Sequence, residues 1–148
     1  QANRKYTAFA AVAEKEGHKD IARLFLATAE AENVHAVAEL NLAGKINDTA
    51  ANLRDAIAGE TYEFSEMYPD FEKTAIEEEQ QQAIRIFGFA KEAEKVHAKL
   101  YQEALDNLGK EETGVAYYLC PVCGYIEKHG APDNCPICKA KGSIFKKY

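Results

Sequence analysis

The stretch Ala29-Glu30-Ala31-Glu32-Asn33-Val34-His35-Ala36-Val37-Ala38 sets a carboxylate and an imidazole three residues apart inside a long apolar-striped helical pattern. At that spacing Glu32 and His35 share one face of a helix. The same spacing returns at Glu94 and His97, and Glu60 with Glu63 supplies a third carboxylate-bearing turn between the two pairs. Glu-x-x-His on two helices, with carboxylates on the others, is how a four-helix bundle holds two iron or manganese ions in its core.

The chemistry depends on whether these acids face the core. Glu32 follows Phe25 by seven residues and His35 by ten, and Glu94 and His97 stand at the same offsets from Phe87, so all four fall in the apolar sector of their helices. Buried charges without partners cost several kcal/mol each, so carboxylates gathered in a bundle core imply cations. A single pair of this kind is common on a solvated helix face. A repeat lifts these two above that reading: a shift of 62 carries Tyr6 onto Tyr68, Glu32 onto Glu94 and His35 onto His97. The same shift sets Gln1 opposite Glu63 and a position ahead of the chain opposite Glu60. A pseudosymmetric site therefore expects a further glutamate within three residues upstream of Gln1, in a first helix that begins before this chain does. Tyr6 and Tyr68 read either as core aromatics or as hydrogen-bond donors to metal-bound carboxylates.

The 148 residues split by composition. Residues 1–110 are rich in Ala, Glu and Leu and lack Cys, whereas 116–148 hold all four Cys and three of the four Pro. A tail this short cannot bury a sufficient core without a staple or a metal. Helices are expected over 3–16, 19–43, a third pattern from the caps Asn47, Asp48 and Thr49 onward, and 82–108, with Gly17, Gly44 and Gly109 as stops. Pro69 should kink or divide the third. A net charge of −6 with dispersed Lys and Arg argues against nucleic acid. No stretch suits a membrane span or a signal peptide, and paired Cys-x-x-Cys units point to metal in a reducing, cytoplasmic setting.

Cys120-Pro-Val-Cys123-Gly and Cys135-Pro-Ile-Cys138-Lys are matching knuckles separated by 11 residues. Four thiolates so spaced make a tetrahedral site for one iron or one zinc. Tyr117, Tyr118, Tyr125, Ile126 and Phe145 offer the apolar cover, and His129 reads as an exposed hairpin residue. A carboxylate dimetal site that reduces peroxide or dioxygen must be re-reduced, and an iron tetrathiolate on the same chain is a one-electron carrier suited to that.

These motifs together resemble the rubrerythrin family over essentially the whole chain. The resemblance is carried by Gln-Ala-Asn-Arg-Lys-Tyr (1–6), Glu-Asn-Val-His (32–35), Gly-Glu-Thr-Tyr-Glu (59–63), Met-Tyr-Pro (67–69), Glu-Lys-Val-His (94–97) and the two cysteine knuckles. It implies an all-α, ferritin-like four-helix bundle followed by a rubredoxin-like domain. It further implies that Glu32, Glu60, Glu63, Glu94 and His97 bind a diiron pair, which manganese or zinc would also fit. His35 would replace Glu63 on one iron upon reduction. Tyr6 and Tyr68 resemble the family's site tyrosines, and Cys120, Cys123, Cys135 and Cys138 its rubredoxin-like iron ligands. A family ligand upstream of Gln1 agrees with the repeat.

Ferritin-like bundles run their second and third helices parallel. Counting from His35 and Glu60 at 1.5 Å per residue separates the facing helix ends by roughly 30 Å. The residues between Gly44 and Asp48 span only about 17 Å when extended. Either the bundle is all-antiparallel or two chains exchange helix pairs in a homodimer, the arrangement favoured here.

The expected activity is reduction of hydrogen peroxide to water, with electrons from an external reductase or rubredoxin-like protein entering through the cysteine site. The tail is read as lying too far from its own chain's site, so that transfer crosses the dimer interface. The alternatives are a diiron oxidase or ferroxidase using dioxygen, and a non-catalytic metal-binding protein with a structural zinc tail.

Overall fold

The computed structural model describes residues 1–110 and 113–148. Its helices are α1 (Ala2–Lys15), α2 (Lys19–Leu42), α3 (Thr49–Tyr62), α4 (Tyr68–Glu77) and α5 (Gln81–Asp106). The strands β1 (Tyr117–Leu119), β2 (Ile126–Lys128) and β3 (Lys146–Lys147) follow. Asp48 caps α3 by accepting the Ala51 N–H at 2.8 Å. Gly17, Gly44 and Gly109 close α1, α2 and α5 at positive φ, as their sequence positions require.

The third apolar pattern is divided, but not at the proline. A π-helical turn over Glu63–Met67 joins α3 to α4, and Pro69 sits in the first turn of α4, where its ring is tolerated.

The chain forms two compact units, Gln1–Asn47 and Asp48–Tyr148. In the second unit the cysteine tail packs on α5.

In the first unit α1 and α2 make a helical hairpin whose buried residues, Ala10, Ala13, Ala22 and Ala29, are all small. Alanine lets the backbones approach closely, and the Asn3 amide donates to the Ala29 carbonyl at 2.7 Å across the gap. Tyr6, Phe9 and Phe25 cluster with ring centroids 5.6–6.4 Å apart. Larger apolar residues stay open: Leu24 is 64% exposed and Val34 60%.

The second unit repeats that hairpin in α4 and α5. Tyr68, Phe71 and Phe87, each 62 residues beyond its counterpart, form the same cluster at 5.4–6.3 Å. The turns match bond for bond: His18 N–H to Ala13 O at 2.8 Å becomes Gln80 N–H to Ala75 O at 2.8 Å. Gly17 at φ +85° becomes Glu79 at φ +57°. A left-handed glutamate costs about 1 kcal/mol or more, so here tertiary geometry prevails over local preference.

The tail is a three-stranded antiparallel sheet of order β2-β1-β3. Cys120, Tyr125 and Cys135 are its buried centre, with Phe145, Ile137 and Ala140 against them. Of the residues expected to cover it, Tyr117 is instead 38% exposed and lines a cavity against Leu53, Leu100 and Ile126.

Candidate metal centres

The two knuckles are built alike. Cys120 N–H donates to Tyr125 O at 2.8 Å and Cys135 N–H to Ala140 O at 2.7 Å, closing equivalent loops. The residue after the second cysteine of each is left-handed: Gly124 at φ +83° and Lys139 at φ +65°. Backbone N–H groups point at the sulfurs, those of Val122 and Cys123 to Cys120, Tyr125 to Cys123 and Ala140 to Cys138. Sγ of Cys120 lies 3.6 Å from that of Cys138, and Cys123 3.5 Å from Cys135. A tetrahedral ion with bonds of about 2.3 Å needs sulfurs about 3.8 Å apart, so the donor set fits one iron or zinc with little adjustment. Burial opposes charge on Cys120, yet the N–H groups around it bring its thiol below the usual range.

The carboxylate centre is built on α3 and α5. Ligand atoms of Glu60, Glu94 and His97 lie within 4.8 Å of one another. His97 Nδ1 stands 2.6 Å from Glu94 Oε2 and 3.7 Å from Glu60 Oε2. Burial pushes the Glu60 carboxyl up to about 7, helped by its hydrogen bond to Glu94 and by the charges of Glu94 and Glu63. Burial raises Glu94 too, but hydrogen bonds with His97 and Glu60 leave it below its ordinary value. Burial works against a charged His97, but Glu94, the Gly124 carbonyl and Glu60 together raise it. Acids pressed together in this way are what a cation would relieve, so the residues present fit a metal.

The other face of His97 decides how it is held. Its Nε2 donates to Gly124 O at 2.9 Å. With Nε2 committed to that carbonyl, Nδ1, which in the metal-free chain donates to Glu94 Oε2 at 2.6 Å, is the nitrogen a metal would take in place of its proton. Because Gly124 belongs to the first cysteine knuckle, the tail lies directly on its own chain's carboxylate centre. The expectation of a distant tail is therefore corrected: Val96 packs on the Cys120, Tyr125 and Cys135 cluster, and an atom at the Cβ position of Gly124 would lie 3.9 Å from the Ala93 methyl.

Glu63, in the π-helical turn, is half-buried; burial and the Glu94 charge raise its carboxyl. Tyr68 is raised by burial and by the charges of Glu94, Glu63 and Glu60. Glu32 is half-buried and His35 exposed on α2, outside the metal-capable groups found among the described residues. Their apolar sector has no facing layer within the first unit, so the expected burial is only partial. Tyr6 lies in its aromatic cluster. Beside Glu60 and His97 opens a cavity of about 500 Å³, walled by Leu53, Leu100, Tyr101 and Ile126. Gly124, Ala93 and Val96 were not singled out by sequence. The signal for Ala93 and Val96 was the apolar stripe Ala93, Val96, Leu100 beside His97.

Residues 1–105 match the Rubrerythrin family. The chain belongs to the rubrerythrin family. Residues 118–146 match the description "Rubrerythrin, rubredoxin-like domain". Nigerythrin of Nitratidesulfovibrio vulgaris is 40% identical over 161 aligned positions, covering 99% of this chain and 79% of the relative. Rubrerythrin of Porphyromonas gingivalis is 37% identical, covering 99% and 82%. The solved structure of nigerythrin in its fully reduced, all-ferrous state aligns at a TM-score of 0.67 with 38% identity, covering 99% of this chain and 79% of that one. Membership places the chain among oxidoreductases that join a diiron bundle to a rubredoxin-like domain. Among the described residues no helix is long and apolar enough to cross a membrane.

Proposed function

We propose that this rubrerythrin-family chain reduces hydrogen peroxide to water, taking electrons through iron in its cysteine site. The observation that carries the reading is the bond from His97 Nε2 to Gly124 O, at 2.9 Å. One carbonyl thereby joins a dimetal ligand to the loop that holds a one-electron carrier.

Two iron ions held by Glu60, Glu94 and His97, with Glu63 and the Glu32 and His35 pair, would supply the two electrons that cleavage of an O–O bond consumes. Each turnover also takes up two protons and releases two water molecules. Tyr68, whose hydroxyl is raised by burial and by the charges of the acids Glu94, Glu63 and Glu60, would donate a hydrogen bond to them. Leu53, Leu100 and Ile126 wall the approach to Glu60 and His97, limiting bulk water while leaving room for a small oxidant.

The assembly we propose is a homodimer that exchanges helix pairs, so that Glu32 and His35 of one subunit complete the site of the other. It rests on the short connection between α2 and α3 and on the open apolar residues of α2. An external reductase or rubredoxin-like protein would supply the electrons.

The test mixes the anaerobically reduced, iron-loaded protein with hydrogen peroxide or with dioxygen and follows reoxidation of both centres. Faster reoxidation by peroxide, ending with an oxidised cysteine site, is expected. Faster turnover with dioxygen would instead favour an oxidase.

A further inference from the structure

At the C-terminal end of α5, His97, Leu100, Ala104 and Asn107 recur at steps of three and four, which sets them on one side of the helix. In the tail, Tyr117 pairs with Lys128 and Leu119 with Ile126 across β1 and β2, so these four side chains share one face of the sheet. A cleft runs between helix and sheet. The cavity of about 500 Å³ beside Glu60 and His97 continues into a second of about 410 Å³, because Leu100, Ala104 and Tyr117 line both. All of these residues belong to the second compact unit, so the cleft does not depend on which chain supplies Glu32 and His35.

The cleft is larger and more apolar than hydrogen peroxide needs. A water-sized molecule takes about 30 Å³, so two oxygens fill only a small part of the inner cavity. Its walls, Leu53, Leu100, Tyr101, Ala104, Tyr117 and Ile126, suit hydrocarbon, with Glu60 and His97 as the polar groups at the inner end. The outer cavity changes character. Asn107, Lys110 and Lys128 line it, and the Glu103 carboxylate there lies 3.8 Å from the Lys99 ammonium. From His97 to Asn107 the chain rises about 15 Å, the reach of an extended chain of about a dozen carbons.

We propose that this cleft admits a long-chain fatty-acid hydroperoxide. Its carboxylate meets Lys110 and Lys128, its hydrocarbon lies along Leu100, Ala104 and Tyr117, and its peroxy group stands beside Glu60 and His97. The assignment rests on the peroxidase reading and widens its substrates to amphiphilic organic hydroperoxides. Reduction breaks the O–O bond with two electrons from the ferrous pair and two protons, giving the alcohol of the same chain and one water. The cysteine site returns the electrons one at a time.

Binding is measured first and without turnover, by calorimetric titration of the zinc-loaded full chain with octanoate, decanoate and, as an uncharged control, decanol. Each buried methylene is worth about fourfold in affinity, so decanoate should bind about tenfold more tightly than octanoate. Ala104→Phe, which fills the join of the two cavities, should abolish binding of decanoate and decanol alike, with unchanged circular dichroism. Lys110→Glu with Lys128→Glu should weaken decanoate at least about tenfold and leave decanol within about twofold, a split that a misfolded variant does not give. Turnover follows, with the reduced, iron-loaded chain and linoleic acid hydroperoxide. The hydroxy acid should form, and in the lysine variant kcat/KM for this substrate relative to hydrogen peroxide should fall at least about tenfold. No saturable decanoate binding, binding indifferent to chain length or to Ala104→Phe, or reduction of hydrogen peroxide without reduction of the fatty hydroperoxide would overturn the proposal. Decanoate bound as described while neither peroxide is reduced would defeat the peroxidase reading, and the substrate assignment with it.

Discussion

Glu60 and Glu94 have the same side chain yet are held in opposite states by what they touch. Glu94 receives a hydrogen bond from His97 and stays a carboxylate, while Glu60, buried beside that charge, is pushed up to about 7. The sign follows for the metal-free protein. A carboxyl raised from 4.5 in the unfolded chain contributes stability that is fully present below pH 4.5 and is lost as pH rises through about 7. A cation must displace the same proton. Ferrous or zinc uptake at this centre should therefore strengthen as pH rises through about 7 and release protons, measurable by titration calorimetry in buffers of different ionisation heat. Glu60→Gln should flatten that dependence. Ligand atoms of Glu60, Glu94 and His97, which spacing singled out, lie within 4.8 Å of one another. The role of Gly124 was not legible in the sequence, because a backbone carbonyl 27 residues away from His97 leaves no mark on local pattern.

At the level of elements, the helices and their stops follow from apolar periodicity and three glycines, and the repeat of 62 holds in three dimensions. The π-helical turn at Glu63–Met67 was not legible, since nothing in Glu-Phe-Ser-Glu-Met distinguishes it from an ordinary helical segment. Left-handed Glu79 and Lys139 were missed for a related reason: the fold demands a conformation that local preference disfavours. In the tail, a position that looks ordinary in sequence is tightly constrained. A Cβ on Gly142 would lie 1.9 Å from the Pro132 carbonyl oxygen, backbone against backbone. Gly142 N–H also donates to Asp133 O at 2.8 Å, tying the turn that follows the second knuckle to the hairpin before it. Gly142→Ala should therefore cost about 1–3 kcal/mol, the range of overpacking in a well-packed site. The expected result is an earlier thermal loss of the tetrathiolate spectrum, with helical circular dichroism unchanged at that temperature.

For the whole molecule, the question is which chain's Glu32 meets which chain's Glu94. The expected ligands are divided between the compact units: Glu32 and His35 lie in the first, Glu60, Glu63, Glu94 and His97 in the second. The connection from Leu42 to Thr49 is short, while Val34, Leu24 and Ile21 remain open on α2. Exchange of helix pairs answers both facts, since the first unit of each chain would then cover the second unit of its partner. This gives an outcome that no unexchanged assembly can produce. Glu32→Ala and Glu94→Ala each damage every site when prepared alone. Unfolded together and refolded with iron, half of the dimers are mixed. In an exchanged mixed dimer one site carries both defects and the other carries neither. About a quarter of all dimetal sites should then be restored, by the statistics of pairing two subunits in a twofold dimer. Iron content and the dimetal absorbance of the mixture report it directly, without reference to any substrate. Recovery near zero, with a dimeric mass in solution, would mean that each chain completes its own site and that the connection after α2 takes a path its length does not suggest.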